Sequence, residues 1–161
     1  MGVPGAGLDM SQCVVFILDE RFYGLRLSAV SRVVRAVEIT PLPKAPPIVI
    51  GVINLAGLII PVVNIRRRFS LPERELKLTD HFLVARGKDD RLLALVVDAV
   101  VGVRDLSAQE TIAAETILPG LEHLEGVAKT HQGLVLIHDL GTFLSLEEER
   151  DLDAVLQEGR E

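Results

Sequence analysis

Hydrophobic and polar positions alternate in short blocks along this chain, and most of the apolar blocks are rich in Val, Ile and Leu. Strand-length runs occur at Cys13–Leu18, Phe22–Leu27, Val33–Ile39, His81–Arg86, Arg91–Val97, Val101–Leu106, Gly126–Thr130 and Leu134–Ile137. Turn residues separate them, as in "DER" at Asp19, "GKDD" at Gly87 and "THQG" at Thr130. So many short strands with so little helix predict an all-β fold. Short helical turns are expected at Ser28–Ser31, Ile65–Phe69 and Leu140–Leu144. "SAQE", Ser107–Glu110, fits a capping box opening one more turn. The final acidic stretch predicts a helix over Leu146–Leu156 that docks Leu152, Val155 and Leu156 on one face.

The longest apolar stretch, "IVIGVINLAGLIIPVVNI" from Ile48 to Ile65, has the length and the basic flank (Arg66–Arg68) of a membrane-spanning helix. Its composition argues otherwise. Pro61 would cost a helix about 3 kcal/mol and each of Gly51 and Gly57 about 1 kcal/mol. The β-branched residues suit a pleated sheet. The stretch is therefore read as a hairpin of Val52–Leu55 and Leu58–Val63, with Gly57 supplying a positive φ in a type I turn with a bulge. Pro61 belongs at an edge or bulge, since it cannot donate to a ladder. Both faces of the hairpin are apolar, which places it inside a closed β structure.

The two halves echo each other. "RFYGLRLSAVSRV" at Arg21 matches "RLLALVVDAVVGV" at Arg91, and "GVINLAGLIIPVVNI" at Gly51 matches "GVAKTHQGLVLIHDL" at Gly126 with one residue gained and one lost. The order a, b, a′, b′ suggests two related β subdomains packed together. "TPLPKAPP", Thr40–Pro47, reads as an extended link within the first half, and Ser70–Asp80 joins the halves. Residues 1–10 read as a flexible tail, 11–146 as one domain of two intertwined subdomains, and 147–161 as an acidic helix or tail.

Charge and chemistry narrow the function. A net charge of −6 and 4% aromatic residues argue against a nucleic-acid binder. The N-terminus has no basic region followed by an apolar one, so it does not read as a signal peptide. The one cysteine, Cys13, lies in "CVVFIL" and reads as a buried core thiol in a reducing compartment. His81, His123, His131 and His138 lack metal-pair spacing and are assigned to turns or strand surfaces. Carboxylates and Arg66–Arg68 read as solvated faces, although arginine is also enriched at interface hot spots. No glycine-rich phosphate loop or nucleophile motif is found, and no cofactor is expected. A binding module is favoured by elimination.

The segment "LPKAPPIVIGVINLAGLIIPVVNIRRRF", Leu42–Phe69, resembles the CheW-like adaptor domain of bacterial chemosensory systems, whose pattern reads approximately "GVxNLRGxxxPVxDLRxxF". Agreement extends through "FxLxxxxYGLxLxxVxxV" near Phe16, "VVDxVxxV" from Val96, the glycine-valine strand at Gly126 and "LxLxxLxxxL" near Leu134, covering about Ser11 to Leu146. The resemblance implies two small packed five-stranded SH3-like β-barrels with short helices. It also implies a non-enzymatic cytoplasmic scaffold, recruited to membrane receptor arrays without inserting into the membrane. Its implied partners are the cytoplasmic tip of a chemoreceptor and the regulatory domain of a chemotaxis histidine kinase.

Carried over by position, Val30, Arg32, Val33, Ala56 and Gly57 fall at the receptor-contacting surface, and Ile112 and Ile117 at the kinase-docking surface. Val30 and Val33, three apart on a helical turn running into a strand, are expected on one side, with Arg32 at the rim. Three positions depart from the pattern: Ala56 replaces the arginine of "NLRG", Asn64 the aspartate of "DLR", and Arg32 stands where an acidic residue is usual. Two other readings stay open. One is a CheW-like protein that binds receptors without coupling the kinase. The other is a small β-barrel enzyme or ligand-binding protein, which would need a polar pocket that the sequence does not advertise.

Overall fold

Strands of β-branched residues recur through the computed structural model, which describes residues 12–106, 110–113 and 124–158. The first half holds β1 (Gln12–Leu18), β2 (Arg21–Arg26), β3 (Val30–Arg35), β4 (Thr40–Pro41), β5 (Val49–Leu55), β6 (Leu58–Val63) and the short helix α1 (Ile65–Arg68). The second holds β7 (His81–Arg86), β8 (Leu92–Val97), β9 (Ala99–Asp105), β10 (Glu110–Ala113), β11 (Leu124–Thr130), β12 (Gly133–His138) and the helix α2 (Leu146–Glu158).

The strands form two sheets, ordered β10-β11-β12-β2-β1-β9 and β4-β5-β6-β8-β7-β3. Written this way the two orders match strand for strand, each with five longer strands and one short one. Each barrel takes the first two strands of one repeat and the last four of the other. Barrel 2 runs without interruption from Val30 to Val97, and barrel 1 is assembled from the chain on either side of it. Each barrel contains one parallel contact at the same place, β12 with β2 and β6 with β8.

Burial on both faces explains the apolar runs of β1 and β7, whereas the β5–β6 hairpin, expected inside a closed structure, leaves Ile50, Leu58 and Ile59 exposed. Alternate residues of β1 point into barrel 1 (Cys13, Val15) or toward the other barrel (Val14, Phe16, Leu18). In β7, Phe82 and Val84 fill barrel 2, while Leu83 and Ala85 join the core between the barrels. That shared core also takes Leu152 of α2 and the Tyr23, Phe69 and Phe143 rings.

The segment Ile48–Ile65 is a hairpin, and among the described residues no helix is long and apolar enough to cross a membrane. Its turn differs from the expected type I turn with a bulge. Leu55 pairs with Leu58, leaving a two-residue loop in which both Ala56 (φ 50°) and Gly57 (φ 89°) are left-handed, the signature of a type I′ turn. In β11–β12 the positive φ falls on Gly133 alone, after the loop of His131 and Gln132, so the type I turn with a glycine bulge belongs to this hairpin. Both loops have two residues, so the repeats align with no residue gained or lost. Counting from the tight turn, Val52–Pro61 is a non-hydrogen-bonded pair, and pairing of β6 with β8 starts only at Val62. Pro61 thus lacks an N–H where no ladder needs one.

Other expectations shift. β3 begins at Val30 and ends at Arg35, and the helical turn before it is Leu27–Ala29. Thr40–Pro41 is a strand that pairs with β5; a Cβ on Gly51 would lie 2.3 Å from the Thr40 carbonyl oxygen, which is why that position is glycine. Glu110 opens β10 rather than closing a capping box, while Ser107–Gln109 lie outside the described residues, as do the N-terminal tail, His123 and Ile117.

Candidate functional site

β3, "VSRVVR", follows the crossover from one barrel to the other and is the last strand of its sheet. Val30 pairs with Ala85, Arg32 with Val84, Val33 with Leu83, Val34 with Phe82 and Arg35 with His81, with a bulge between Val30 and Arg32. Directly paired residues share a face. The bulge therefore puts Val30 and Val33 on the same face, the one turned toward the shared core. The expected grouping holds, but through a bulge rather than a helical turn. Val30 packs partly against the shared core, and Val33 is 39% exposed. Arg32 sits on the opposite face with Val34, and the rim charge beside the valines is Arg35, which sequence reading missed. A bulge leaves no mark in residue type, so only the register could reveal this.

Ala56 and Gly57 form the exposed tip of the β5–β6 hairpin, and the next two residues, Leu58 and Ile59, are also exposed. The tip lies toward the Val30 end of the sheet but three strand positions away, on the order of 14 Å measured along the sheet. The valines and the tip are therefore separate patches on one barrel. Ile112 belongs to β10 and pairs with Val127, on barrel 1.

The chain also holds an ionic cluster that reading the carboxylates as solvated did not anticipate. Both Arg66 and Asp80 are buried, and Asp98 lies between two arginines. Arg66 Nη2 donates to both oxygens of Asp98 at 2.8 Å, and Arg74 Nη2 donates to Asp98 Oδ1 at 2.6 Å. Arg74 also donates to both oxygens of Asp80, which accepts the Lys77 amide as well. Burial by itself would raise the pKa of Asp98, but the Arg66 side chain, the Asp19 amide and Arg74 outweigh it and hold the carboxyl below its ordinary range. In Asp80 burial likewise pushes up, and Arg74 and the Lys77 amide bring the net shift down. The cluster ties the β1–β2 turn, α1, the linker and the β8–β9 junction together.

A cavity of about 240 Å³ beside the cluster is lined by Ile39, Ile50, Ile65 and Val96; of its charged groups, Arg66, Arg74 and Asp80 are engaged with partners and Glu75 is exposed. Small-molecule sites are usually larger and keep polar groups free for a ligand. Of the histidines, His131 is in a turn, but His138 is buried and stacks on Phe69 with ring centroids 4.2 Å apart, a core position rather than a surface one. Cys13 is fully buried, which pushes its thiol up to about 11 and leaves it a core residue.

The family model for the CheW-like domain matches residues 12–148. The chain belongs to the CheW-like domain family. It is 29% identical over 145 residues to the chemotaxis protein CheW of Treponema pallidum, covering 87% of this chain and 85% of that protein. To the CheW of Thermotoga maritima it is 31% identical over 125 residues, covering 78% and 82%. Among solved structures, the scaffolding protein TtCheW of Thermoanaerobacter tengcongensis superposes with a TM-score of 0.73 at 30% identity, covering 86% of this chain and 94% of that one. The CheW-like fold of two SH3-like barrels accounts for the paired sheets and for the repeat order a, b, a′, b′.

Proposed function

We propose that the protein is a non-enzymatic scaffold that couples chemoreceptor tips to a chemotaxis-type histidine kinase. The observation that carries this reading is the family match across both barrels, together with the half-exposed valine face of β3 at the edge of the shared core. Val30 and Val33 contact the receptor tip, and Ala56 and Gly57 form a second, separate contact at the hairpin tip. Ile112, on barrel 1, and Ile117 belong to the kinase-docking surface. A receptor contact of this kind is small and transient, held by a few apolar anchors. The scaffold works in the cytoplasm and reaches the membrane through the receptor.

Binding of a receptor-tip fragment and of the kinase regulatory domain, each measured separately, tests the proposal. Val33→Asp should abolish receptor binding and leave kinase binding intact, because the carboxylate would be desolvated at the contact without a partner. Val33 is a cleaner probe than Val30, whose side chain also supports the shared core. Loss of neither interaction would overturn the assignment of β3. Receptor binding without kinase binding by the native protein would favour a receptor binder that does not couple the kinase.

A further inference from the structure

The repeat equates β3 with β9 residue by residue. In β9, Val100 pairs with Phe16, Val103 with Val14 and Asp105 with Gln12, and a bulge again falls just after the first valine. Val100, Val103 and Asp105 therefore share one face of β9, as Val30, Val33 and Arg35 share one face of β3. Val30 and Val100 both pack against the shared core. Val33 and Val103 both extend beyond it, 39% and 50% exposed. Arg35 and Asp105 are both exposed, and each strand is the last of its sheet. The apolar positions of the two faces match, while the charges at their outer ends are opposite.

A helical hairpin laid over two equivalent valine faces has two directions of approach with nearly equal apolar contact, because burial of apolar surface is not directional. The charges remove that degeneracy. We propose that Arg35 and Asp105 fix the direction in which the receptor tip lies on the protein. Arg35 takes a carboxylate of the tip over barrel 2, and Asp105 disfavours one over barrel 1. Arg35 is available for this, since it makes no ion pair among the described residues. The inference rests on the reading of the β3 valines as a receptor contact.

The test uses the full chain and a receptor-tip fragment encoded in the same genome. Glu38→Cys places a thiol beyond β3, and single cysteines are placed on the ascending or the descending helix of the fragment. Cross-linking to one helix only is expected in the native charge arrangement. Arg35→Glu should weaken binding about tenfold, whereas Asp105→Arg should leave affinity unchanged and let the cross-link reach both helices, with circular dichroism checking that each variant folds. The double variant R35E/D105R should recover affinity and move the cross-link to the other helix. Equal cross-linking to both helices without substitution, or a cross-link that stays put in the double variant, would overturn the inference. If Val33→Asp abolishes binding while the charge reversals change nothing, the direction-setting role fails and the receptor contact stands. If Val33→Asp binds normally, both fail.

Discussion

At the centre of barrel 2 sit Phe82, Ile53 and Ala94, and at the matching places in barrel 1 sit Cys13, Ala128 and Gly24. Barrel 1 makes up the volume from other positions, drawing Leu106, Phe22 and Val101 inward. Room at Gly24 is tight, since a Cβ there would lie 3.3 Å from Val135 Cγ1 and the valine would have to shift. Outside the barrels the divergence is one of charge. Arg66 and Asp98 of the ionic cluster correspond by repeat to Gly141 and Ser28. Beyond α1 the chain must return through a linker to begin the second repeat, and ion pairs hold that linker down. Beyond the matching turn at Leu140–Thr142 the chain continues into α2, held by buried Leu152 and by Arg68–Glu148 and Arg91–Glu149 pairs. One strand plan tolerates two fillings because pairing and alternation, not particular side chains, specify it.

The largest effect should come from the barrel interiors. Phe82→Ala should cost about 3–5 kcal/mol, whereas Cys13→Ala at the matching place removes only one sulfur and should cost about 1 kcal/mol. Urea denaturation of both variants measures the difference. Equal losses would show that the two interiors are filled to the same effect, and would break the comparison.

The ionic cluster comes next. Asp98→Ala removes the acceptor that Arg66 and Arg74 share, leaving Arg66 the Pro72 carbonyl and Arg74 the Asp80 carboxylate, and should cost about 2–3 kcal/mol, while Ser28→Ala, at an exposed position, should stay within about 0.5 kcal/mol. The cluster also sets acid sensitivity. The carboxyls of Asp80 and Asp98 titrate lower in the folded chain than in the unfolded one. Their contribution is therefore fully present above about pH 4, the unfolded carboxylate value, and is lost as pH falls through their folded values. Stability measured from pH 7 down to pH 2 should fall steeply in the native protein and less steeply in Asp98→Ala.

What the residues disclosed in advance follows the same division between pairing and contact. The strands, the hairpin at Ile48–Ile65 and the duplication were legible because β-branched alternation and turn residues are local signals. β10 was not, because Glu110–Ala113 is short and its partner β11 begins only at Leu124. Arg66, Asp80 and Asp98 read as solvated for a related reason. Arg66 meets Asp98 across 32 positions of sequence, and no local pattern announces that pairing. Val30 and Val33 were grouped correctly by an incorrect geometry, and the same bulge exchanged Arg32 for Arg35 as the charge beside them.

A smaller effect separates the two helix caps. Asn64 Oδ1 accepts the Arg67 amide as Asp139 Oδ1 accepts that of Gly141, but Asn64 Nδ2 also donates to Glu73 Oε1 at 2.8 Å. Asn64→Asp would keep the cap and set a second carboxylate against Glu73, for a loss of about 0.5–1 kcal/mol that salt should reduce. Asp139→Asn, whose side chain has no such neighbour among the described residues, should be near neutral. Thermal melts at low and high ionic strength distinguish the two, and a loss at Asp139 equal to that at Asn64 would mean that the cap, not the Glu73 contact, sets the cost.

The smallest effect concerns the hairpin tips and runs toward greater stability. Ala56 holds a left-handed backbone that costs an L-residue with a Cβ about 1–2 kcal/mol. Asparagine tolerates that region better and is the favoured partner of glycine in a type I′ turn. Glycine at position 56 would relieve the strain too, but it would also loosen the unfolded chain by about 0.4–1 kcal/mol. Ala56→Asn should therefore stabilise the fold by about 0.5–1 kcal/mol and Ala56→Gly by less. His131→Asn, at the matching place in a turn whose positive φ falls on Gly133 instead, should change nothing measurable. Denaturation midpoints of the three variants decide it. Equal gains at positions 56 and 131 would mean that asparagine acts through general turn propensity, and the two hairpins would then differ in backbone geometry but not in the strain they carry.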